Sequence, residues 1–170
     1  MIVRVSAKLG RKIHQSPDRV LPADPNPFAD WSTHLFRADR TQYILVTNTA
    51  SLYSMVMYGR SITDDCRFLD RITSYIGEFL RADDHGFIFE RLIVPHLERV
   101  SFSKALNRSV IGSMNDLVFQ AQFHLIEGLM SPFDVSFRLN ETPFSCLEHV
   151  DPRASFQHLA VQGAGKAGPP

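Results

Sequence analysis

Three consecutive strand-like runs constrain the fold more than any other feature of the sequence. Residues 31–37, 42–47 and 51–58 are rich in aromatic and β-branched side chains, and breaks of three or four residues separate them. Breaks this short between such runs favour an antiparallel meander. Neither alternating face of the third run is strongly polar, so we expect that strand to be central and covered on both sides.

Two longer segments have the periodicity of amphipathic helices. We predict the first over residues 63–81, with Thr63 as its N-cap and apolar side chains at three- and four-residue spacing. We predict the second over residues 109–128, with Ser109 as its N-cap. Its apolar stripe consists of Val110, Met114, Leu117, Val118, Ala121 and Leu125. Strands followed by helices predict an α+β fold, here an antiparallel sheet of four or five strands packed against these two helices.

The remaining segments complete a single α+β domain over residues 1–150, a usual domain size. Residues 2–5 alternate and predict a short strand, after which Ser6 can cap a short basic helix. Residues 15–30 contain four prolines and predict a loop. From residue 151 the hydrophobic pattern is lost, so we expect a disordered tail over residues 151–170.

Charge and cysteine content limit the compartment and the partners. The 170 residues carry 18 basic and 18 acidic side chains, so no overall field attracts nucleic acid or an anionic membrane. The excess of basic residues in the first 20 positions allows a nucleic-acid partner, but the net charge does not favour one. No run approaches the roughly 18 apolar residues of a membrane span. Two unaccompanied cysteines, Cys66 and Cys146, suit a reducing cytosol, so we expect a cytoplasmic protein.

No residue spacing indicates a metal or a cofactor. Neither cysteine belongs to a CxxC or Cys/His pattern. The histidine pairs His85 with His96 and His149 with His158 lack the spacing of metal ligands. We therefore predict no metal site and no cofactor.

The strongest candidate for a binding site is the start of the second long helix, within residues 107–117. A helix N-terminus has free N–H groups and partial positive charge, which suit an anion such as a phosphate. An arginine adds a forked donor there, and a glycine lets another group approach the backbone closely. We predict ligand contacts from Arg108, Ser109, Gly112, Asn115 and Asp116. In the structural alternative, Ser109 caps the helix and Arg108 pairs with a carboxylate. Gly112 then marks tight helix packing, and Asn115 and Asp116 form hydrogen bonds with the backbone of a nearby loop.

The same stretch resembles the signature of a family of small bacterial proteins classed as a domain of unknown function. The resembling residues are Asn107 to Asp116, followed by Leu139-Asn140-x-Thr142-Pro143. The opening strand and helix (1–13) and the tryptophan-led strand and hairpin (31–58) are similar as well, so the resemblance covers about residues 1–145. It implies a compact bacterial domain without an assigned activity, and no catalytic residue carries over.

Three further residues are candidate contributors to a site: Trp31, His34 and His124. A tryptophan that leads a strand is usually a core anchor, and the alternative is a stacking platform for a planar ligand. In a regular strand, His34 faces opposite to Trp31, Thr33 and Leu35. The face formed by Tyr53, Met55 and Met57 is either core or a partner surface.

These residues leave three functions open. We prefer a non-enzymatic cytoplasmic domain that binds a small anionic ligand or a protein partner. The second is a small hydrolase or nuclease-like enzyme acting on a phosphate-containing substrate, with its acid/base and charge-stabilising groups drawn from His34, Arg37, Arg108, Asp116 and His124. Asp116 and His124 lie about 12 Å apart along a helix axis, so they cannot share one proton directly. The third is an interaction module with an exposed strand edge.

Overall fold

The computed structural model describes residues 1–144, 147 and 150–164, with the backbone alone over 160–164. Within these residues one sheet contains the strands β1 (Ile2–Val5), β2 (Asp30–Ala38), β3 (Thr41–Asn48), β4 (Ser54–Tyr58) and β5 (Ser101–Ser103). Six α-helices accompany it there: α1 (Ala7–Lys12), α2 (Asp65–Ala82), α3 (Gly86–Ile88), α4 (Arg108–Ile126), α5 (Pro132–Asn140) and α6 (Pro152–Ala164). The fold is therefore α+β, as predicted.

The sheet is mixed, with the strand order β4-β3-β2-β1-β5. β2, β3 and β4 form the predicted antiparallel meander. β1 pairs in parallel with both β2 and β5, so the prediction of a purely antiparallel sheet is wrong. Parallel pairing needs a long crossover, and residues 6–29, which contain α1 and the proline-rich loop, provide one. Short breaks between strand-like runs indicate hairpins, but they do not indicate which strands pair with β1.

The two predicted long helices cover opposite faces of the sheet. α2 packs on the face that carries Trp31, Met55 and Met57, which makes the Tyr53 side of β4 core rather than partner surface. α4 and α5 pack on the other face, over Phe36 and Val56. The predicted apolar stripe of α4 is confirmed by its burial in this second core. A helix on each face gives the sheet two separate hydrophobic cores.

The N-caps of both long helices differ from the predicted ones. Asp64, not Thr63, caps α2 and accepts the backbone N–H of Arg67 at 2.9 Å. Asn107, not Ser109, caps α4 and accepts the backbone N–H of Val110 at 2.9 Å. Asn and Asp cap helices at least as well as Ser and Thr, so two good candidates near one helix start cannot be separated by spacing.

β4 is an edge strand, which corrects the expectation of a central one, but α5 closes its edge. The side-chain amide of Asn140 accepts the N–H of Ser54 at 2.7 Å and donates to its carbonyl at 2.8 Å. The hydroxyl of Ser136 accepts the N–H of Val56 at 2.8 Å. These side chains take the place of a further strand, so β4 lacks the open edge that the interaction module needs.

The segment that follows residue 151 begins with a helix rather than the expected disorder. Phe156 of α6 is fully buried and its ring lies 4.5 Å from that of Tyr53 and 5.0 Å from that of Phe28. Arg153 of the same helix forms an ion pair with Asp83 at 2.8 Å. Phe156 and the partly buried Leu159, three residues apart, pack this helix on the core beneath α2, and the ion pair adds to its docking. Two apolar positions are too few to predict a packed helix from the sequence. Residues 165–170 of the predicted tail lie outside the described residues.

Candidate functional site

Parallel pairing of β1 gathers polar side chains on one face of the sheet. The Cα partners of Arg4 are Ser32 in β2 and Ser103 in β5. Direct partners on neighbouring strands project to the same face, and Phe36, farther along β2, contributes to the core beneath α4. His34 lies between Ser32 and Phe36 in this alternation, so it faces away from Trp31, as predicted. The sheet face beside the second core is therefore polar.

A cavity of about 500 Å³ opens on this polar face. It lies at the carboxyl ends of β1 and β5, a common place for ligands in sheets with parallel strands. Its volume is within the range of small-molecule sites. Ile111 and Met114 of α4, residues of α1 and its following loop, and Lys104 after β5 complete the lining. The parallel arrangement that the sequence did not predict is thus what creates the cavity.

The charged side chains that line the cavity are all cationic. Arg11 and Lys104 are exposed, and neither side chain pairs with another residue in the part of the chain that the structure describes. None of the described lining residues is acidic. Unpaired cations beside an apolar wall create a positive potential in a cleft.

Arg4 lines the cavity but has no donor left for a ligand. It is 1% exposed, and its Nε and Nη2 donate to the two carboxylate oxygens of Asp30 at 2.8 and 2.7 Å. Its Nη groups also donate to the carbonyls of Leu21 and Pro22 and to the hydroxyl of Ser103. A guanidinium has five N–H donors, and these contacts use all of them. Arg4 therefore ties the proline-rich loop to the parallel strands.

His34 is a further polar group of the cavity that is free to bind. It is half-buried, and its imidazole has no hydrogen-bond partner within the described residues. Burial lowers the pKa of His34, and the positive charge of Lys8 lowers this pKa further. The ring is consequently neutral at pH 7, with one donor and one acceptor nitrogen. It can donate a hydrogen bond to a group bound in the same cavity as Arg11 and Lys104.

The predicted binding residues of α4 lie on its outer side and do not line the cavity. Arg108, Ser109, Gly112, Asn115 and Asp116 are all exposed. Within residues 1–144, 147 and 150–159, the side chains of the arginine, the asparagine and the aspartate form no hydrogen bond or ion pair, so the structural alternative lacks its expected contacts too. A Cβ added to the glycine would meet nothing within 4 Å, so no tight packing requires it. Ligand binding by these residues stays a prediction.

The other candidate residues are dispersed. Trp31 is fully buried and donates its indole N–H to the carbonyl of Phe28 at 2.8 Å, which makes it a core anchor without a free ring face. His124 is half-buried beside Phe123, with ring centroids 5.6 Å apart. Of the residues considered for an enzyme, His34, Arg37, Arg108, Asp116 and His124, only His34 lines the cavity.

Sequence reasoning missed Arg11 and Lys104 as candidate site residues. They approach one cavity because β1 and β5 run in parallel and the segments after both strands emerge at the same edge. The available signal is the excess of basic residues in the first 20 positions, to which Arg11 and Lys8 belong. No comparable signal points to Lys104.

One group of potential metal ligands exists within the described residues, at the start of α2. Ligand atoms of Asp64, Asp65 and Cys66 lie within 4.8 Å of one another. Asp64 already caps the helix, and the negative charge of Asp65, aided by lesser contributions, raises the pKa of the Cys66 thiol. A raised thiol pKa disfavours the thiolate that binds metals, so we assign no metal here. Cys146 and His149 lie outside the described residues.

A comparison with protein families identifies a family whose model matches most of the chain. The family model described as Domain of unknown function (DUF6933) matches residues 2–155. The chain belongs to this family. The DUF6933 match confirms the resemblance to a domain of unknown function, whereas the signature at residues 107–116 and the bacterial origin stay predictions. No curated protein and no solved structure matches the DUF6933 chain. None of its helices, among the residues described, combines the length and apolar content needed to cross a lipid bilayer.

Proposed function

We propose that this DUF6933 chain is a non-enzymatic, cytoplasmic ligand-binding domain whose cavity takes a small anionic molecule with an apolar portion. The observation that carries the proposal is the charge of the cavity. Arg11 and Lys104 are unpaired cations, His34 is a free donor, and the described lining has no acidic residue. An anion held between these groups would gain charge-assisted hydrogen bonds without displacing an existing ion pair.

The apolar wall of the cavity is the reason to expect an apolar portion in the ligand. Ile111 and Met114 of α4 line the cavity together with Val5 and Ala7. Apolar lining with a few polar groups that fix orientation is typical of small-molecule sites. An inorganic anion alone would leave this wall in contact with water, so an amphiphilic anion fits the cavity better.

Binding is favoured over catalysis because His34 lacks a partner that would orient it. An acid/base histidine is normally held by a carboxylate or carbonyl, and its target lies within hydrogen-bond reach. No carboxylate is present among the described residues that line the cavity. We therefore do not propose the hydrolase alternative.

Titration calorimetry with sulfate and with short alkyl sulfonates tests the proposal. We expect the alkyl sulfonates to bind more tightly than sulfate, and the double substitution Arg11→Glu/Lys104→Glu to weaken their binding at least tenfold, which is about 1.4 kcal/mol. Arg40→Glu/Arg60→Glu reverses two charges at exposed positions that do not line the cavity, so it is the matched control and should bind as the native chain does. Equal affinities for Arg11→Glu/Lys104→Glu and for this control would contradict the proposed site.

Anion binding should also take up a proton through His34. The pKa of His34 lies below its usual 6.5 in the free protein, and a bound anion favours the imidazolium and raises this pKa. The affinity for an alkyl sulfonate, which does not itself titrate near neutrality, should therefore rise as the pH falls through the pKa of the complex. It should level off below the pKa of the free protein. Calorimetry across this range measures the slope, and His34→Gln should remove it. A native affinity that does not change with pH would contradict the contact with His34.

A further inference from the structure

The outer face of α4 carries large apolar side chains that nothing in the described chain covers. Phe119, Phe123 and Ile126 are 74%, 58% and 43% exposed, and Leu129 just after the helix is 87% exposed. The three helical positions are spaced four and three residues apart, so they form one stripe. A contiguous apolar patch of this kind on a protein surface commonly marks an interaction site.

Leu129 adds a second unusual feature at the end of this stripe. Its φ is 47°, in the left-handed region that bulky side chains rarely adopt. Leu129 is the left-handed residue that ends α4, and the Met130 N–H beside it donates to the carbonyl of His124 at 3.2 Å. This helix end leaves the leucine side chain in solvent next to the stripe.

The other half of the same helix face is flat. Arg108, Gly112 and Asn115 repeat the spacing of four and three residues and are exposed. The open space over Gly112 extends at least 4 Å from the position of an added Cβ. The outer face of α4 therefore combines a shallow half with a half from which aromatic rings project.

From this shape we infer that a second copy of the chain packs antiparallel on the outer face of α4, across a twofold axis. Arg108 and Glu127 lie symmetrically about the point between residues 117 and 118, and so do Gly112 and Phe123. An antiparallel pairing about that point brings the partner's Phe123 to the level of Gly112. A surface that is complementary to itself in this way is what an isologous dimer requires.

Charge complementarity supports the same arrangement. Neither Arg108 nor Glu127 has an ion-pair partner in the portion of the chain that the structure describes. In the antiparallel pair, the partner's Glu127 comes to the level of Arg108. The positive end of each helix dipole then lies beside the negative end of the other. A parallel pair would bring like charges together instead.

The exposed area matches what a dimer needs. A standard interface buries about 800 Å² per partner, of which somewhat more than half is apolar. The two phenylalanines alone expose on the order of 250 Å² of ring surface, and Ile126 and Leu129 add to it. The stripe can therefore supply most of the apolar part of one interface. This inference does not depend on a ligand in the cavity, which lies on the inner side of α4.

Sedimentation equilibrium of the full chain over a range of concentrations tests the dimer. We expect the native chain to dimerise, and Phe119→Ser/Phe123→Ser to raise the dissociation constant at least 100-fold. Phe87→Ser removes a ring of similar exposure (71%) from a different surface and should leave dimerisation unchanged. A native chain that is monomeric at every concentration, or a dimer that the α4 substitutions do not weaken, would overturn the inference. Circular dichroism verifies that each variant is folded.

A charge exchange tests the antiparallel orientation. Arg108→Glu and Glu127→Arg should each raise the dissociation constant about tenfold because each brings like charges to the same level. The double variant Arg108→Glu/Glu127→Arg should return it close to the native value. Two weakened single variants without recovery in the double variant would overturn the antiparallel arrangement.

Discussion

Asp30→Ala is expected to destabilise the fold by about 3–5 kcal/mol, the usual cost of leaving one member of a buried ion pair without its partner. The side chains of Arg4 and Asp30 are 0% and 3% exposed and lie 2.7 Å apart. The alanine would leave a buried guanidinium with two donors unpaired. It would also remove the acceptor of the Asp24 backbone N–H, which helps hold the proline-rich loop. Urea unfolding measures the loss.

The double substitution Arg4→Met/Asp30→Leu tests whether the loss of stability comes from an unpaired buried charge or from lost packing. Replacing both members of a buried pair by apolar residues of similar volume is often neutral or stabilising. We therefore expect the double variant to recover most of the stability that Asp30→Ala loses. The loop around Leu21 and Pro22 should nevertheless become accessible to proteases, because its two carbonyls lose their donors. A cost below about 1 kcal/mol for Asp30→Ala would contradict the structural role assigned to this pair.

Asn140→Leu is expected to cost about 2–6 kcal/mol, because it leaves the buried N–H and C=O of Ser54 unpaired at about 1–3 kcal/mol each. The amide of Asn140 is fully buried and serves both groups at once. Its loss also opens the edge of β4, so we expect aggregation near the unfolding transition. Chemical denaturation and light scattering measure these two effects.

Arg138→Leu on the exposed side of α5 is the matched control for this substitution. Arg138 forms only a surface pair with Glu141, so its replacement should change the unfolding free energy by less than about 1 kcal/mol. If Asn140→Leu were as well tolerated as this control and remained monodisperse, the closure of the β4 edge by α5 would be wrong. Asn140 belongs to the second part of the stretch that resembles the family signature, and its contacts give that residue a structural explanation.

Local patterns account for the parts of the fold that the sequence could predict. Short breaks between β-branched runs determine the meander, and apolar periodicity determines α2 and α4. Distant pairing cannot be read in this way. The parallel partners of β1 depend on a crossover of 24 residues, from 6 to 29, and on a strand of three residues near position 102. Phe156 and Leu159 pack α6 on the core and Arg153 adds an ion pair, and two apolar positions are too few to predict a helix.

The candidate site shows the same division between local and distant information. The sequence directs attention to the start of α4, and that turn does border the cavity. Which of its residues face inward depends on how Val110 and Leu117 pack on the sheet. The inward positions are Ile111 and Met114, both apolar, whereas the predicted polar residues point outward. Polar character made those residues conspicuous in the sequence, and it is also the reason that packing leaves them in water.

The position of β1 between β2 and β5 also determines an order of events during synthesis. The meander and its hairpins involve neighbours in sequence, so they can form while the ribosome is still translating the chain. β1 meets β5 only across 99 positions, from Ile2 to Ser101. Contacts at such separation are slow to form, because a long loop must close before they stabilise anything. β1 can therefore pair early with β2, 28 positions away, but it pairs with β5 late, and the cavity between the ends of β1 and β5 forms after most of the sheet.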